Sequence, residues 1–182
     1  GGEEIACGTW ANLIPGATRR GYMSENPANG APDNVQAASG WQPVIEDMEA
    51  TAAAYRDRGW TTVELHPGDS VFVDSEFRTG IDVVLPGSEY EELEAVAADA
   101  EFTDVDVFRA EDASMFYLLV VEKDPDSETA VFVPAYYNPG SAEEKIQTVQ
   151  ADGELRLFCR RLNDDYVEFV HSDVDPFLPE GV

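Results

Sequence analysis

The order of hydrophobic patterns along the chain predicts an α+β fold, with about three helices packed on a mainly antiparallel sheet. That order is helix, three strands, helix, three strands, helix and two strands. Most of the strands follow one another across turns of a few residues, which favours antiparallel pairing. The chain has 182 residues, 43% of them hydrophobic, which is enough to build one core. The repeated order also leaves open a loosely duplicated helix-plus-three-strand unit.

The first helix and the three strands after it are predicted between residues 41 and 85. Apolar side chains fall on one helical stripe at Val44, Ile45, Met48, Ala52 and Tyr55. Gly59 follows at the position where a glycine commonly ends a helix. The next three segments have the alternating or apolar pattern of strands, and they are 61–66, 71–73 and 81–85.

The second and third helices are predicted from their start signals. Ser88 with Glu91, and Ser141 with Glu144, have the spacing of a capping box. Gly153 marks the expected end of the third helix.

The remaining strands are expected in the second half of the chain, at 105–109, 115–122, 130–137, 155–162 and 166–171. The second of these segments is the most apolar in the sequence. Pro134 lies inside the third, and because proline has no backbone N–H, it predicts a strand edge or a bulge there.

Two regions are expected along the chain. Residues 41–182 are predicted to form a single α+β domain. Residues 1–40 are predicted to be a poorly packed leader, because they lack a hydrophobic period and become rich in Asn, Ala, Pro, Gly and Ser.

The charge of the chain is strongly one-sided, with 37 acidic and 11 basic residues and a net charge of −26. Crowded carboxylates repel one another, and molar salt screens them because the Debye length falls from about 8 Å to about 3 Å. The acids are spread along the chain after Trp41, which favours a halophilic protein over a nucleic-acid mimic or a partner of a basic protein. Direct binding to DNA or RNA is not expected without a basic patch.

The expected location is the cytoplasm. Cys7 and Cys159 lie far apart, which excludes a disulfide framework or a zinc ribbon. The sequence contains neither a run of 18 apolar residues nor a secretory signal, so membrane association is not expected. No metal or cofactor motif has the required spacing, and neither a metal nor a cofactor is expected.

Two patterns look like sites but favour structural roles. Segment 124–128 begins like an EF-hand loop, yet Thr129 and Ala135 stand where the loop needs Gly and Glu. Cys159 is beside Arg160, whose side chain points to the opposite face of the strand. A small buried hydrophobe is therefore the favoured role for Cys159.

The weak catalytic candidates are His66, Asp69, Asp82 and His171. Histidines close to carboxylates, such as His171 with Asp173, are able to bind a metal or transfer protons. Imidazoles at strand ends that bond to nearby backbone are the simpler interpretation. The region around Asp82 resembles the start of a restriction-endonuclease-like fold, but the Glu-x-Lys strand that such folds need is missing.

The candidate ligand or interface residues are Tyr136, Tyr137 and Trp60. The two tyrosines close a strand just before a helix, where a pocket or a partner surface is expected. Because neighbouring strand residues point to opposite faces, one of the two is a candidate for exposure. Packing in the core explains most of the other aromatic residues.

Four stretches carry a resemblance to a known family, and they are YRDRGW at 55–60, VELHPGD at 63–69, VFVPAYY at 131–137 and DPF at 175–177. From residue 41 onward the chain resembles a family of uncharacterised proteins of halophilic archaea. The resemblance implies a cytoplasmic protein that works in salt, and it implies no particular activity.

The leading hypothesis is a non-enzymatic binding or interaction domain that forms a homodimer or binds a protein partner. It follows from a substantial core without a converging catalytic set. The alternative is a metal-dependent hydrolase or nuclease-like enzyme that uses His66, Asp69 and Asp82. That alternative requires the three side chains to reach one water molecule or metal ion.

Overall fold

Three α-helices and eight strands occur in the predicted order in the computed structural model, which describes residues 40–75, 79–112, 114–163 and 165–179. The helices are α1 (Trp41–Asp57), α2 (Gly87–Asp99) and α3 (Glu143–Asp152), and a 3-10 turn follows at Asp175–Phe177. The strands are β1 (Thr61–Glu64), β2 (Asp69–Asp74), β3 (Thr79–Val84), β4 (Asp104–Asp112), β5 (Met115–Asp124), β6 (Thr129–Tyr137), β7 (Leu155–Arg160) and β8 (Tyr166–His171). The predicted α+β class is confirmed.

The strands form two mixed sheets. The first sheet has the order β1-β6-β5-β4, and the second has the order β2-β3-β7-β8. β1 pairs in parallel with β6, and β3 with β7, whereas the other four pairs are antiparallel. The single sheet expected from the sequence is thus divided in two, although antiparallel pairs predominate. β1 and β2 do not pair, despite their short connection, because each lies beside a partner in a different sheet.

The two halves of the chain use their common order of elements differently. β1 belongs to the first sheet, whereas β2 and β3 belong to the second. In contrast, β4, β5 and β6 are successive neighbours within the first sheet. The sheet topology therefore does not repeat, even though the order of helices and strands does.

Both faces of the first sheet are buried. On one face, a core joins the two sheets with α2 and α3 and includes Val120, Val133, Ile81, Leu157, Leu93 and Val149. On the other face, a smaller core lies under α1 and includes Met48, Ala52, Tyr117, Phe132 and Tyr136. Alternate residues of β5 and β6 belong to the two cores, which explains why these strands are apolar throughout.

The helix ends agree with the glycine signals but not with the capping boxes. Gly59 and Gly153 both have a positive φ just after a helix, as predicted. The predicted capping boxes are wrong, because Pro86 precedes α2 and Ala142 precedes α3, and neither start has a side-chain cap. Ser88 instead lies inside the first turn of α2.

Pro134 lies in β6, which has neighbours on both sides, but β1 ends before reaching it. Glu64 is the last paired residue of β1, opposite Phe132, and the N–H of Leu65 donates to the carbonyl of Phe132 at 3.1 Å. Backbone groups two residues apart point the same way, so the missing N–H of Pro134 faces the side that β1 has left. The predicted edge position is confirmed for this end of β6.

Most of the predicted leader, residues 1–39, lies outside the described residues, so the leader stays a prediction. Gly40, at its boundary, packs directly on the ring of Tyr117, and a Cβ atom at this position would overlap that ring. None of the helices described here is long and apolar enough to cross a membrane.

Candidate functional site

Tyr136 and Tyr137 line a pocket of about 490 Å³ at the end of β6. We refer to it as the tyrosine pocket, and it lies between β2, the end of β6 and the start of α3. Most of its side chains are aromatic or apolar, with one carboxylate and one ammonium group, and they include Phe72, Met115, Tyr136, Tyr137, Asp69 and Lys145. The sequence led us to expect a pocket or a partner surface at this place.

The two tyrosine rings point to opposite faces of the first sheet. The Tyr136 ring packs edge-to-face on Trp41, with 5.1 Å between centroids, and the Tyr137 ring packs on Phe72 at 4.9 Å. Each tyrosine is only 3% exposed, so neither is the exposed aromatic that the alternation allowed for. Because packed rings form it, this wall of the pocket is preformed.

Two polar side chains form hydrogen bonds with backbone groups of the strands around the tyrosine pocket. The Ser70 hydroxyl donates to the Tyr136 carbonyl at 2.8 Å and accepts from the Tyr136 N–H at 2.9 Å. Lys145 Nζ donates to the Phe72 carbonyl at 3.0 Å. Ser70 therefore links β2 to the end of β6, although the two strands belong to different sheets.

Both phenols in the tyrosine pocket remain protonated near neutral pH. Burial and the Asp69 carboxylate raise the pKa of Tyr136 to about 12, and its hydroxyl lies 3.4 Å from Asp69 Oδ1. Burial raises the pKa of Tyr137 well above its usual range, and its hydroxyl donates to the Phe177 carbonyl at 2.8 Å. The phenols therefore act here as hydrogen-bond donors and not as bases.

Trp60 is not among the side chains that line the tyrosine pocket. Its ring packs edge-to-face on Tyr55, with 5.1 Å between centroids, and lies against the core under α1. Trp60 thus helps to hold α1 on the first sheet, and its role as a ligand residue stays a prediction.

The three residues of the hydrolase hypothesis have different surroundings. His66 Nδ1 lies 2.7 Å from Glu89 Oε2, and the His66 backbone N–H donates to Glu89 Oε1 at 2.6 Å. The buried Asp82 accepts from Arg160 Nε at 2.9 and 3.1 Å, while Asp69 lines the tyrosine pocket. Within the described ranges, no three His, Cys, Asp or Glu side chains are grouped as a metal ion requires.

His171 lines a second pocket, of about 570 Å³, which we refer to as the histidine pocket. The pocket lies between the end of α2, the β4 and β5 strands and β8. Its lining includes Phe102, Asp104, Glu122, Phe169, His171 and Asp173. His171 Nε2 is 2.7 Å from Glu122 Oε2, and both side chains are buried. Asp173, which the sequence suggested as a partner of His171, lies in the same pocket.

Glu122 is the site residue that sequence reasoning missed. The sequence offered it only as a neighbour of Lys123, in the search for a nuclease motif. Leu118 and Val120 face the core between the sheets, so the alternation of β5 places Glu122 on the same inward face. An acidic residue at an inward position of an apolar strand is unusual, and this was the signal in the sequence that could have identified Glu122 as a buried polar group.

The acidic segment that resembles an EF-hand loop has a structural role. Asp124 accepts hydrogen bonds from the backbone N–H groups of Glu101 and Asp126 and from the Ser127 hydroxyl. These bonds lower the pKa of the Asp124 carboxyl. The carboxylate is thus used to shape the turn between β5 and β6.

Cys159 is a free, buried thiol on the inward face of β7. Burial, together with the charges of Glu122 and Asp82, raises the pKa of this thiol well above its usual range. This environment is that of an unreactive, packed cysteine, the favoured interpretation from the sequence. Cys7 lies outside the described residues.

Comparison with the sequence models of known families identifies one match. The sequence model of a family of unknown function, DUF7529, matches residues 28–179. The chain belongs to this family. The DUF7529 match begins before residue 41, where the resemblance in the sequence began, and it spans all the described helices and strands. Comparisons with curated proteins and with solved structures found no match.

Proposed function

We propose that this DUF7529 member is a non-enzymatic binding domain that holds an apolar or aromatic group in the tyrosine pocket. The observation that carries the proposal is a preformed pocket of about 490 Å³ with a wall of buried aromatic rings. A pocket of this size is within the range of small-ligand sites. The buried rings of Phe72 and the two tyrosines fix the shape of this wall before binding.

The chemistry of the lining supports binding. The Tyr136 and Tyr137 hydroxyls already donate within the protein, so the two residues give the pocket a fixed apolar wall. Asp69 and Lys145 add one negative and one positive group at the edge of an apolar surface. This combination favours a ligand with an apolar body and a small polar end.

We propose that the apolar group belongs to a protein, which is either a second copy of this chain or another protein. β2 is an edge strand of the second sheet, and Val71, which also lines the pocket, is 44% exposed. An exposed apolar side chain at the rim gives a partner a contact beyond the pocket itself.

Filling the pocket tests this proposal. Ser141 is exposed at the rim, so Ser141→Trp can occupy the pocket without changing the core, whereas Gln147→Trp adds the same ring to an exposed part of α3 outside it. Indole serves as the probe, and its binding is followed by NMR at Met115 and Tyr136. We expect Ser141→Trp to weaken indole binding about tenfold or more, and Gln147→Trp to leave it unchanged.

Self-association is measured on the same proteins by sedimentation in molar KCl over a range of protein concentrations. A homodimer through the end of β6 would dissociate in the Ser141→Trp variant and persist in the Gln147→Trp variant. If the unaltered chain neither binds indole nor associates with itself, the proposal is wrong.

We further propose a haloarchaeal source, a salt-adapted protein and a cytoplasmic location. The support is the excess of 37 acidic over 11 basic residues. Raising KCl from dilute buffer to molar concentration should raise the melting midpoint steeply, because salt screens repulsion between carboxylates. Mild acidification should act in the same direction by neutralising some of them. A midpoint that is constant across this salt range would contradict the adaptation to salt.

A further inference from the structure

The floor of the histidine pocket is a buried pair that leaves one imidazole nitrogen unbonded. Glu122 is 2% exposed and His171 is 9% exposed, and the pair is joined at His171 Nε2. No side chain or backbone group of the described ranges is hydrogen-bonded to His171 Nδ1. When the Nε2 proton is directed at Glu122, the neutral ring presents Nδ1 as an acceptor for a donor in the pocket.

The electrostatics of the histidine pocket favour a positively charged donor. Asp173 lines it and is bonded to no Lys or Arg of the described residues. Asp104 also borders the pocket, but it pairs across the strands with Lys123, on the face of β4 that points away from Glu122. Glu168 also lines the pocket, although an arginine already pairs with it. Ala97 and Ala100 place the C-terminal end of α2 against the pocket, where the helix carbonyls add partial negative charge and no basic residue offsets it.

Part of the lining of the histidine pocket is apolar. The rings of Phe102 and Phe169 pack edge-to-face with 5.4 Å between centroids, and Val105 and Val167 lie beside them. Aromatic faces attract cations, and the valine side chains can cover a hydrocarbon chain.

We infer that the histidine pocket binds an organic amine. The ammonium group donates to His171 Nδ1 and to the Asp173 carboxylate, and its hydrocarbon body lies against Phe102 and Phe169. A free alkyl diamine and the lysine side chain of a peptide share this chemistry. The inference uses none of the groups of the tyrosine pocket and is independent of the function proposed above.

The test uses the full chain in molar KCl, which screens the general attraction of an acidic protein for cations. The probe is 1,5-diaminopentane, followed by calorimetry and by NMR at Phe102 and Phe169. The rim variant Asp173→Asn is expected to weaken binding about tenfold. The control Glu144→Gln removes the same charge from an exposed position of α3 outside the pocket.

The outcomes distinguish binding of the amine in the histidine pocket from a general attraction between the acidic protein and a cation. Unchanged affinity in the α3 control, with weaker binding in the rim variant, supports the inference. Equal weakening in both variants, equal binding of uncharged 1-pentanol, or no saturable binding of the diamine would overturn it. A peptide with one lysine is titrated in parallel, and the tighter of the two ligands shows whether the amine is free or carried by a peptide.

The contribution of the imidazole is measured with His171→Gln. Loss of the Nδ1 acceptor is expected to weaken diamine binding about tenfold, with the NMR shifts at Phe102 reduced in proportion. If this variant does not fold, the rim variant still decides the outcome, because Asp173 is exposed and lies outside the core.

Discussion

The tyrosine pocket and the histidine pocket adjoin the same core but are built from different groups. The tyrosine pocket has buried rings, and the polar side chains Ser70 and Lys145 are occupied with backbone groups. The histidine pocket instead has a buried imidazole and carboxylate that bond to each other across the two sheets. The difference shows that one pocket depends on apolar packing and the other on a polar pair that has been removed from water.

The 3-10 turn after β8 lies between the two pockets. Tyr137 of the tyrosine pocket donates to the carbonyl of Phe177, and the Phe177 ring lies 4.8 Å from the ring of His171. A residue of each pocket therefore helps to fix this turn. Substitutions in the two pockets therefore measure what each kind of interior group contributes to stability.

The largest effect is expected at the polar pair. His171→Leu leaves the Glu122 carboxylate buried without its partner, which should lower the free energy of unfolding by about 3–5 kcal/mol. Adding Glu122→Leu should restore most of that loss, because two apolar side chains then replace the pair. Urea unfolding of the single and double variants measures both changes.

Ser141→Ala provides the comparison from the tyrosine pocket. This side chain is exposed, so the free energy of unfolding should change by no more than about 0.5 kcal/mol.

The double variant His171→Leu with Glu122→Leu also has an outcome that contradicts the prediction. If it is as unstable as His171→Leu alone, the pair is not what stabilises this end of the core.

A smaller effect is expected at Asp47, a buried carboxyl that lacks the kind of partner Glu122 has. Its Oδ2 atom has no hydrogen-bond partner among the described residues. Burial, with a smaller effect from Glu46, raises the pKa of Asp47 to about 7. Asp47→Asn should therefore stabilise the fold by about 1–2 kcal/mol above pH 7, where the wild-type group is ionised.

The pH dependence of Asp47 has a defined sign. Its folded pKa is above the unfolded value of 3.8, so its stabilising contribution is complete below about pH 4 and is lost as the pH rises to about 7. The difference between Asp47→Asn and wild type should grow over that window and then remain constant. Glu49→Gln removes the same charge from an exposed position of α1 and should show little of this trend.

Local periodicity was sufficient to predict the helices and strands of the described ranges. Gly59 and Gly153 predicted two helix ends because a positive φ is a local property of the backbone. The capping boxes failed because spacing alone does not show where the first turn begins. At the start of α2, the side chain of Glu89 is hydrogen-bonded to His66, and Ser88 does not cap the helix.

The candidate sites were predictable only in part, for a related reason. Tyr136 and Tyr137 could be placed at a pocket because they occupy the end of a strand before a helix. The His171–Glu122 pair joins two residues 49 positions apart and from different sheets, so no local pattern could bring them together. The sequence showed the two groups, but their contact depends on how the sheets pack.

The sequence by itself determined the α+β class, the order of the helices and strands, and a charge that follows from composition alone. Only the tertiary structure decided that β1 and β2 belong to different sheets. It also decided that Ser70 is hydrogen-bonded to the backbone of Tyr136, and that Glu122 is hydrogen-bonded to His171. Hydrophobic period and turn residues act over a few positions, and a sequence displays them directly. Strand partners and buried polar contacts are chosen by the packing of the whole chain, which no short segment contains.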